Sequence, residues 1–570
     1  MKRTITIVSM VLVTVTSVAQ KEGSIIVNGS IQSDMMVAPL QDNSIGTAEY
    51  DNNSFLTNTY LDLQMQSKYI DAGGRFEFVQ LPMPGFHDPD KGIDFKGWGI
   101  PNLYVKAKLN NVSITAGSFY EQFGSGLVLR LYEERSLGID NSLAGGHILW
   151  SPVNGVTIKA LTGAQRNYWK WNKSLISGID AEIAVGELFP SFLKNGANLN
   201  IGFSWVNRCQ DPKDGNTTII KTIQDDDKII TQTYCLDLPR FTNAFDARVS
   251  FQNKGFSLLA EYAAKTPDPN SMNSYIYGRG HAELLSMTYT TRGLSALLQA
   301  RRSENMAFRS DRGGAVTSPS SYINHLPAYT IDQTYALAAL YPYTTQTEGE
   351  WAYQGSVSYK ISGRYKPKYK INYSLVTGLE HARENISNLD ARGTDGARSS
   401  FFKHGDVYFQ DLNLIYEQKF NPLFELHLMY AYQYYNKTII RGEGGTINSH
   451  IGIAEGKWKV GKRNFLRAEA QYLHTPHKSG DWGFGLVEFS LAQKLMLSVS
   501  DQIGRPEPLA GSSEYGNVTH YYHASATYNF KSHRLQMGFG RTRAGYNCSG
   551  GVCRYVPASK GLTISYNYNF

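Results

Sequence analysis

The last nine residues constrain this chain more than any other stretch. Leu562, Ile564, Tyr566, Tyr568 and Phe570 alternate with Thr563, Ser565, Asn567 and Asn569. A period of two places every apolar side chain on one face of an extended strand and every polar one on the other. Such a strand needs hydrogen-bonding neighbours on both edges and an apolar surrounding for one face. The same alternation recurs along the chain. Leu103, Val105, Ala107 and Leu109 oppose Tyr104, Lys106 and Lys108, and Phe76 and Phe78 oppose Arg75 and Glu77. Residues 241–251 and 256–264 flank Asn253-Lys254-Gly255, 282–290 and 294–300 flank Thr291-Arg292-Gly293, and 521–530 and 535–539 flank Lys531-Ser532-His533. These turn signals between alternating runs predict antiparallel hairpins.

The predicted connections alternate in length. Short turns are followed by long polar segments near 208–240, 265–278, 303–333, 436–450, 502–519 and 542–560. Many strands run nine to twelve residues, the length of a tilted membrane crossing and longer than the soluble average of about five or six. The chain has 37 Tyr, 26 Phe and 53 Gly, and its mean hydropathy is negative. Strands that are only half apolar give that balance in a membrane barrel. No apolar run is long enough for a helical span. In hydrocarbon, a sheet must close on itself to satisfy its backbone. The expected fold is therefore all-β: one large transmembrane antiparallel barrel, with short periplasmic turns and longer external loops. About 22 to 26 strands fit at about 20 residues per strand and connection. Strand parity breaks between Glu350 and Ser400, where 364–370 either bends one strand or separates two. Aromatics near strand ends, Tyr60, Tyr69, Phe119, Tyr120, Trp150, Tyr289, Tyr434 and Tyr435, suit two interfacial girdles.

Residues 1–19 read as an export signal, with Lys2 and Arg3 before an apolar run and Val18-Ala19 before Gln20. Residues 20–58 are expected to form an N-terminal segment, periplasmic or in the lumen, and 59–570 the barrel. Export makes disulfides natural. Cys548 and Cys553 lie in a Gly/Asn/Ser-rich turn, and Cys209 and Cys235 bracket a polar loop. Two local disulfides are the expectation, with metal binding the rival at Cys548. In the same loop, Asp211, Asp214, Asp225, Asp226 and Asp227 form an acidic cluster that could hold calcium, although the spacing matches no calcium loop. No other metal site and no cofactor is expected.

The remaining candidates are charge clusters. Gly117, Gly124 and Gly126 lead into Arg130, Glu133, Arg135 and Asp140, which read either as a kinked strand with ordinary ion pairing or as a constriction or docking cluster. Arg301 and Arg302 belong to a second arginine-rich stretch with Arg292, Arg309 and Arg312, and Arg541, Arg543 and Arg554 form a third. Such arginines would line a positive wall, meet acidic lipopolysaccharide, or pair with Asp and Glu in a filled lumen. A dense patch from Leu326-Pro327-Ala328-Tyr329 to Tyr341-Pro342-Tyr343 reads as a loop folded against or into the barrel mouth. His474, His477 and Asp481, and His520 and His523, are close in sequence but lack a partner pattern for catalysis or metal binding. No phosphate loop, nucleophile elbow or zinc-protease motif occurs, and no nucleic-acid reading module. The net charge of +7 excludes none of the three arginine placements.

The exported start, the aromatic end and the patches Phe123-Gly124-Ser125-Gly126 and Tyr341-Pro342-Tyr343 resemble an uncharacterised family of outer-membrane barrels from Bacteroidota. The resemblance implies residence in the outer membrane of a Gram-negative bacterium, contact with lipids and lipopolysaccharide, and Phe570 as the signal read by the barrel-assembly machinery. It further implies a non-enzymatic component of a multi-protein envelope complex, for transport or assembly, with other outer-membrane proteins or surface lipoproteins as partners. The alternatives are a stand-alone porin-like channel for small solutes, anionic ones if arginines line it, and a lipid-modifying enzyme at the rim. The chain does not resemble a TonB-dependent receptor, because the first strands leave little room for an N-terminal plug.

Overall fold

A computed structural model describes residues 25–37, 39–47, 55–88, 93–190, 193, 196–214, 218–225, 228–316, 318, 320–381, 393–396, 399–506 and 516–570. The export signal, residues 1–19, lies outside the described residues. Twenty-four strands form one sheet. Each is antiparallel to the next in the chain's order, and the first, Ile26–Val37, pairs with the last, Ser559–Asn569. That pairing closes the sheet, which leaves no edge strand unpaired.

Alternation divides each strand between two environments. On strand Leu495–Gly504, Leu497 and Val499 are exposed on the outer face, while the hydroxyl of Ser498 faces inward to Ser525 at 2.8 Å. On strand Asn464–His474, Phe465 and Tyr472 face out, and Arg467, Glu469 and Gln471 hydrogen-bond to one another or to neighbouring strands within the lumen. An apolar outer belt around a polar interior is the surface of a barrel whose solvent is lipid. Exposed Tyr69, Trp150, Tyr289, Tyr359, Phe420 and Phe530 lie at strand ends beside the short turns and form one aromatic girdle. Among the described residues no helix is long and apolar enough to cross a membrane; this chain crosses with strands. The protein is a closed, lipid-facing transmembrane β-barrel.

The parity break resolves simply. Residues 361–367 form a turn between strands Gly349–Lys360 and Lys368–His381, and Ser399–Asn421 follows. Most turns at one end are short, apart from 185–197 with its helical turn Val185–Leu188, and the long segments 38–54, 120–142, 210–240, 305–348 and 543–558 lie at the other.

Two expectations need correction. Residues 20–58 are not a separate segment, because Ile26–Val37 is the barrel's first strand and Phe55–Gln66 its second. Strand Ile26–Val37 carries Gly29 and Ser33 among its lipid-side residues and Met36 among its lumenal ones, so its apolar contrast is weak. The aromatics are also divided: Tyr60, Phe119 and Tyr435 are buried rather than in a girdle.

The C-terminal residue completes the seam. The backbone of Phe570 exchanges two 2.9 Å hydrogen bonds with Gly29. A Cβ on Gly29 would lie 2.3 Å from the Phe570 ring, so the terminal aromatic packs flat on a glycine.

Candidate functional site

The lumen is filled by the chain's own connecting segments. Residues 305–348 join strands Leu294–Glu304 and Gly349–Lys360, whose facing ends pair directly through Glu304 and Gly349. Instead of extending outward, the segment folds across the barrel interior. Met306, Phe308, Ile323, Leu326, Leu337 and Tyr341 are buried in one apolar cluster. That cluster also takes wall residues such as Ile176, Val206, Val376, Ile451 and Leu473, and Phe123, Leu127 and Leu129 from a second inward segment, 120–142. These wall residues sit on strands on opposite sides of the barrel. Apolar side chains on the lumenal face need such a cover, since otherwise they would contact water.

Hydrogen bonds fix the segment to the wall. Gln165 Nε2 donates to the Tyr322 carbonyl at 2.7 Å, Arg208 to the Arg309 carbonyl at 2.8 Å, and Gln433 Nε2 to the Ala338 carbonyl at 2.9 Å. The Leu337 N–H donates to Gln471 Oε1 at 2.9 Å and the Tyr335 hydroxyl to Glu455 at 3.2 Å. A loop buried this way carries many backbone carbonyls away from water, and arginine supplies five donors to meet them. Arg309 donates to the carbonyls of Ala315 and Ser320 at 3.0 Å each, and Arg312 to that of Pro239 at 2.6 Å. Arg301 bonds Glu350 and the Pro327 carbonyl. Of the three placements open to the arginines, Arg301, Arg309 and Arg312 take the filled lumen. The patch from Leu326 to Tyr343 lies within this plug, as its composition suggested.

The second segment, 120–142, is held by an ionic cluster. Arg75 bonds Asp62 at 2.6 Å and both oxygens of Glu133 at 2.6 and 2.8 Å. Arg166 bonds Glu77 at 2.7 Å and Asp140 at 2.5 Å. Arg135 joins Glu133 and Asp62 at 2.8 Å each. The cluster therefore ties Glu133, Arg135 and Asp140 of the segment to Asp62, Arg75, Glu77 and Arg166 of the wall. The kinked-strand reading is replaced by this inward fold. Gly117, with φ +107° and a backbone oxygen 2.2 Å from where a Cβ would stand, sits in the strand just before it. Asp62 and Arg166 were not singled out in the sequence, and Arg75 and Glu77 only as the polar face of a strand; the available signal was charge at inward positions of alternating strands.

The other predicted cluster members lie elsewhere. Arg130 stacks on Tyr132 with its guanidinium 4.7 Å from the ring centre, and its N–H donates to the Ile323 carbonyl. Arg302 lies on the outer side of its strand, between Glu304 at 2.8 Å and Ser399 at 2.6 Å. Arg541 binds Asp42 at 2.7 Å, and Lys560 binds the same carboxylate at 2.9 Å. His325, in the plug, is buried beside Arg130 and Arg301; burial and these two cations push it down to about 3.

The cysteine expectation holds for one pair only. Cys548 and Cys553 form a disulfide across the hairpin Gly545–Ser549/Val552–Val556. Cys209 and Cys235 are free. Cys209 ends a barrel strand opposite Phe241, whereas Cys235 ends a separate hairpin opposite Thr218, so the intervening residues do not bring the thiols together. Asp226 and Asp227 and the side chain of Asp225 lie outside the described residues, while Asp211 turns back on Lys213 N–H at 2.9 Å. Among the described residues no group of three or more His, Cys, Asp or Glu could hold a metal ion. His474 meets Asp481 at 3.0 Å and His520 meets Asp501 at 2.6 Å, each at the exposed rim. His477 contacts Ser479 at 3.0 Å, but Ser479 is buried against the Tyr341 hydroxyl.

The model of the family of unknown function DUF6029 matches residues 1–570. The chain belongs to this family. No curated protein matches it. Among solved structures it is similar to the P pilus usher PapC translocation pore, at 9% identity over 96% of this chain and 99% of that one, with a TM-score of 0.40. It is similar to the copper transporter OprC, at 7% identity over 97% and 81%, TM-score 0.40. The siderophore receptor PiuA from Acinetobacter baumannii gives 10% identity over 97% and 82%, TM-score 0.40. Likeness at this level carries no functional information.

Proposed function

We propose that this protein is a non-enzymatic, porin-like transport barrel for small solutes, whose passage is closed at rest by residues 305–348. The observation that carries this reading is the plug itself: residues 305–348, with 120–142 packed against them, fold across the lumen and cover its apolar wall residues. Polar cavities of 260 and 360 Å³ remain toward the end bearing the short turns, lined by Asp180, Glu182 and Arg248 and by Asn154, Glu182 and Glu187. A wet vestibule below an apolar seal suits an occluded conduit better than a solid structural post. The multi-protein envelope complex first expected from the sequence has no observation of its own among the described residues, and co-purification in mild detergent tests it. The family match carries no indication of the bacterial group.

Planar-bilayer recording tests the closed-conduit reading. Glu304 and Gly349 already pair, so a short Gly-Ser linker can replace 306–346 without straining the wall. The wild-type protein should conduct rarely, and the linker variant steadily. A linker variant that folds, by its heat-modifiable gel migration, and stays silent would overturn the proposal.

A further inference from the structure

A cavity of 160 Å³ lies at the outer mouth, between the plug, strands Ser399–Asn421 and Phe424–Asn436, and the disulfide hairpin. Among the described residues, its charged lining residues are Asp332 and Asp411, and no Lys, Arg or His lines it. Asp411 and Gln433 are each 1% exposed. Asp411 Oδ2 accepts from Gln333 Nε2 at 3.0 Å and the side-chain amides of Asn413 and Gln433 lie close to the carboxylate, but Oδ1 makes no hydrogen bond of good geometry. Gln433 spends its Nε2 on the Ala338 carbonyl, and its Oε1 also has no partner. Two buried acceptors without donors are unfavourable unless something occupies the cavity. Besides polar Thr330, Asn547 and Ser549, the lining takes the aromatic rings of Tyr341, Tyr343, Phe409 and Tyr546. Their faces carry negative potential and attract cations. Arg441 lies over the Tyr546 ring at 4.3 Å but donates to the Tyr435 hydroxyl, not to Asp411.

We propose that this cavity binds a small organic ammonium ion. Its N–H groups donate to Asp411 Oδ1 and Gln433 Oε1, its charge is met by the two carboxylates, and its methylenes lie against the rings. The volume equals about five waters at roughly 30 Å³ each, which limits the ligand to a handful of heavy atoms. A bare metal ion fits less well, since among the described residues no group of three or more His, Cys, Asp or Glu stands together to hold one. The inference concerns binding and holds whether or not the barrel conducts.

Isothermal titration calorimetry on the detergent-purified full chain tests it. The probes are 1,4-diaminobutane, its neutral isostere 1,4-butanediol, and glucose. The diamine should bind saturably to wild type, at least tenfold more weakly to Asp411→Asn, and more weakly to Tyr546→Ala, which leaves the wall strands untouched. Heat-modifiable migration confirms that each variant is folded. Equal diamine binding by wild type and Asp411→Asn, preference for the diol or glucose, or no diamine binding to wild type would each overturn the proposal.

Discussion

Replacing Arg75 by Ala should release segment 120–142 while leaving the barrel closed. Arg75 connects Asp62 on the wall to Glu133 on the segment, with Asp140 at 3.4 Å and Glu77 at 3.6 Å. Its removal leaves four carboxylates facing only Arg135 and Arg166. Removing one partner from a buried ionic pair costs about 3–5 kcal/mol, mostly because the remaining charge stays buried and uncompensated. The strands retain their ladder, so that strain is relieved most readily by moving Glu133 and Asp140 into water. At about 1.4 kcal/mol per decade, the open population should rise roughly a hundred- to a few-thousand-fold. Trypsin cleavage after Arg130 or Arg135, followed by mass spectrometry on folded protein in detergent, reads that population when opening is fast relative to cutting. Adding Glu133→Gln should reverse part of the effect by removing one stranded charge. An unchanged cleavage rate in folded Arg75→Ala would refute the reasoning.

Three further outcomes follow from the same structure. His325 has a folded value of about 3, below its ordinary 6.5, so its contribution to plug stability is full above pH 6.5 and is lost as pH falls toward 3. Protease sensitivity of 305–348 should therefore rise over that window, by up to about 1.4 kcal/mol per pH unit, and His325→Gln should flatten the profile. Gly29→Ala should displace the Phe570 ring and cost about 1–3 kcal/mol in urea unfolding, while Gly29→Ala with Phe570→Ala recovers most of it; no change in the single variant would count against the seam. Alkylation under denaturing, non-reducing conditions should modify two cysteines, Cys209 and Cys235, and reduction should expose Cys548 and Cys553 as well. A protein with no alkylatable thiol before reduction would contradict the pairing.

Most of the wall was legible because its strands announce themselves locally. Leu103 to Leu109 and Leu562 to Phe570 alternate within a few residues, and short turns such as Asn110-Asn111 and Lys254-Gly255 separate neighbouring strands. Strand Ile26–Val37 was hidden because its lipid side includes Gly29 and Ser33, one placed for the Phe570 ring. The plug was half legible: the aromatic patch from Leu326 to Tyr343 is too apolar for a free external loop. Its anchors were not, because Arg75 and Arg166 find Glu133 and Glu77 at separations of 58 and 89 residues. A charge pattern of period two says that Arg75 and Glu77 share a face, but not what meets them there. Sequence spacing likewise placed Cys209 and Cys235 at two ends of a loop without revealing that a separate hairpin holds one of them. Asp411 and Gln433 look like ordinary lumenal polar residues until the cavity beside them is seen.

Cysteine cross-linking tests the plug most directly. Leu337 is fully buried, and its N–H donates to Gln471 on strand Asn464–His474, five strands round the barrel from Gly349–Lys360, where the segment rejoins the wall. With Cys209→Ser and Cys235→Ser, the pair Leu337→Cys and Gln471→Cys should oxidise in intact cells and yield a linked peptide by mass spectrometry. Absence of that link, with Leu337→Cys freely labelled by a membrane-impermeant maleimide, would contradict a lumen filled by residues 305–348.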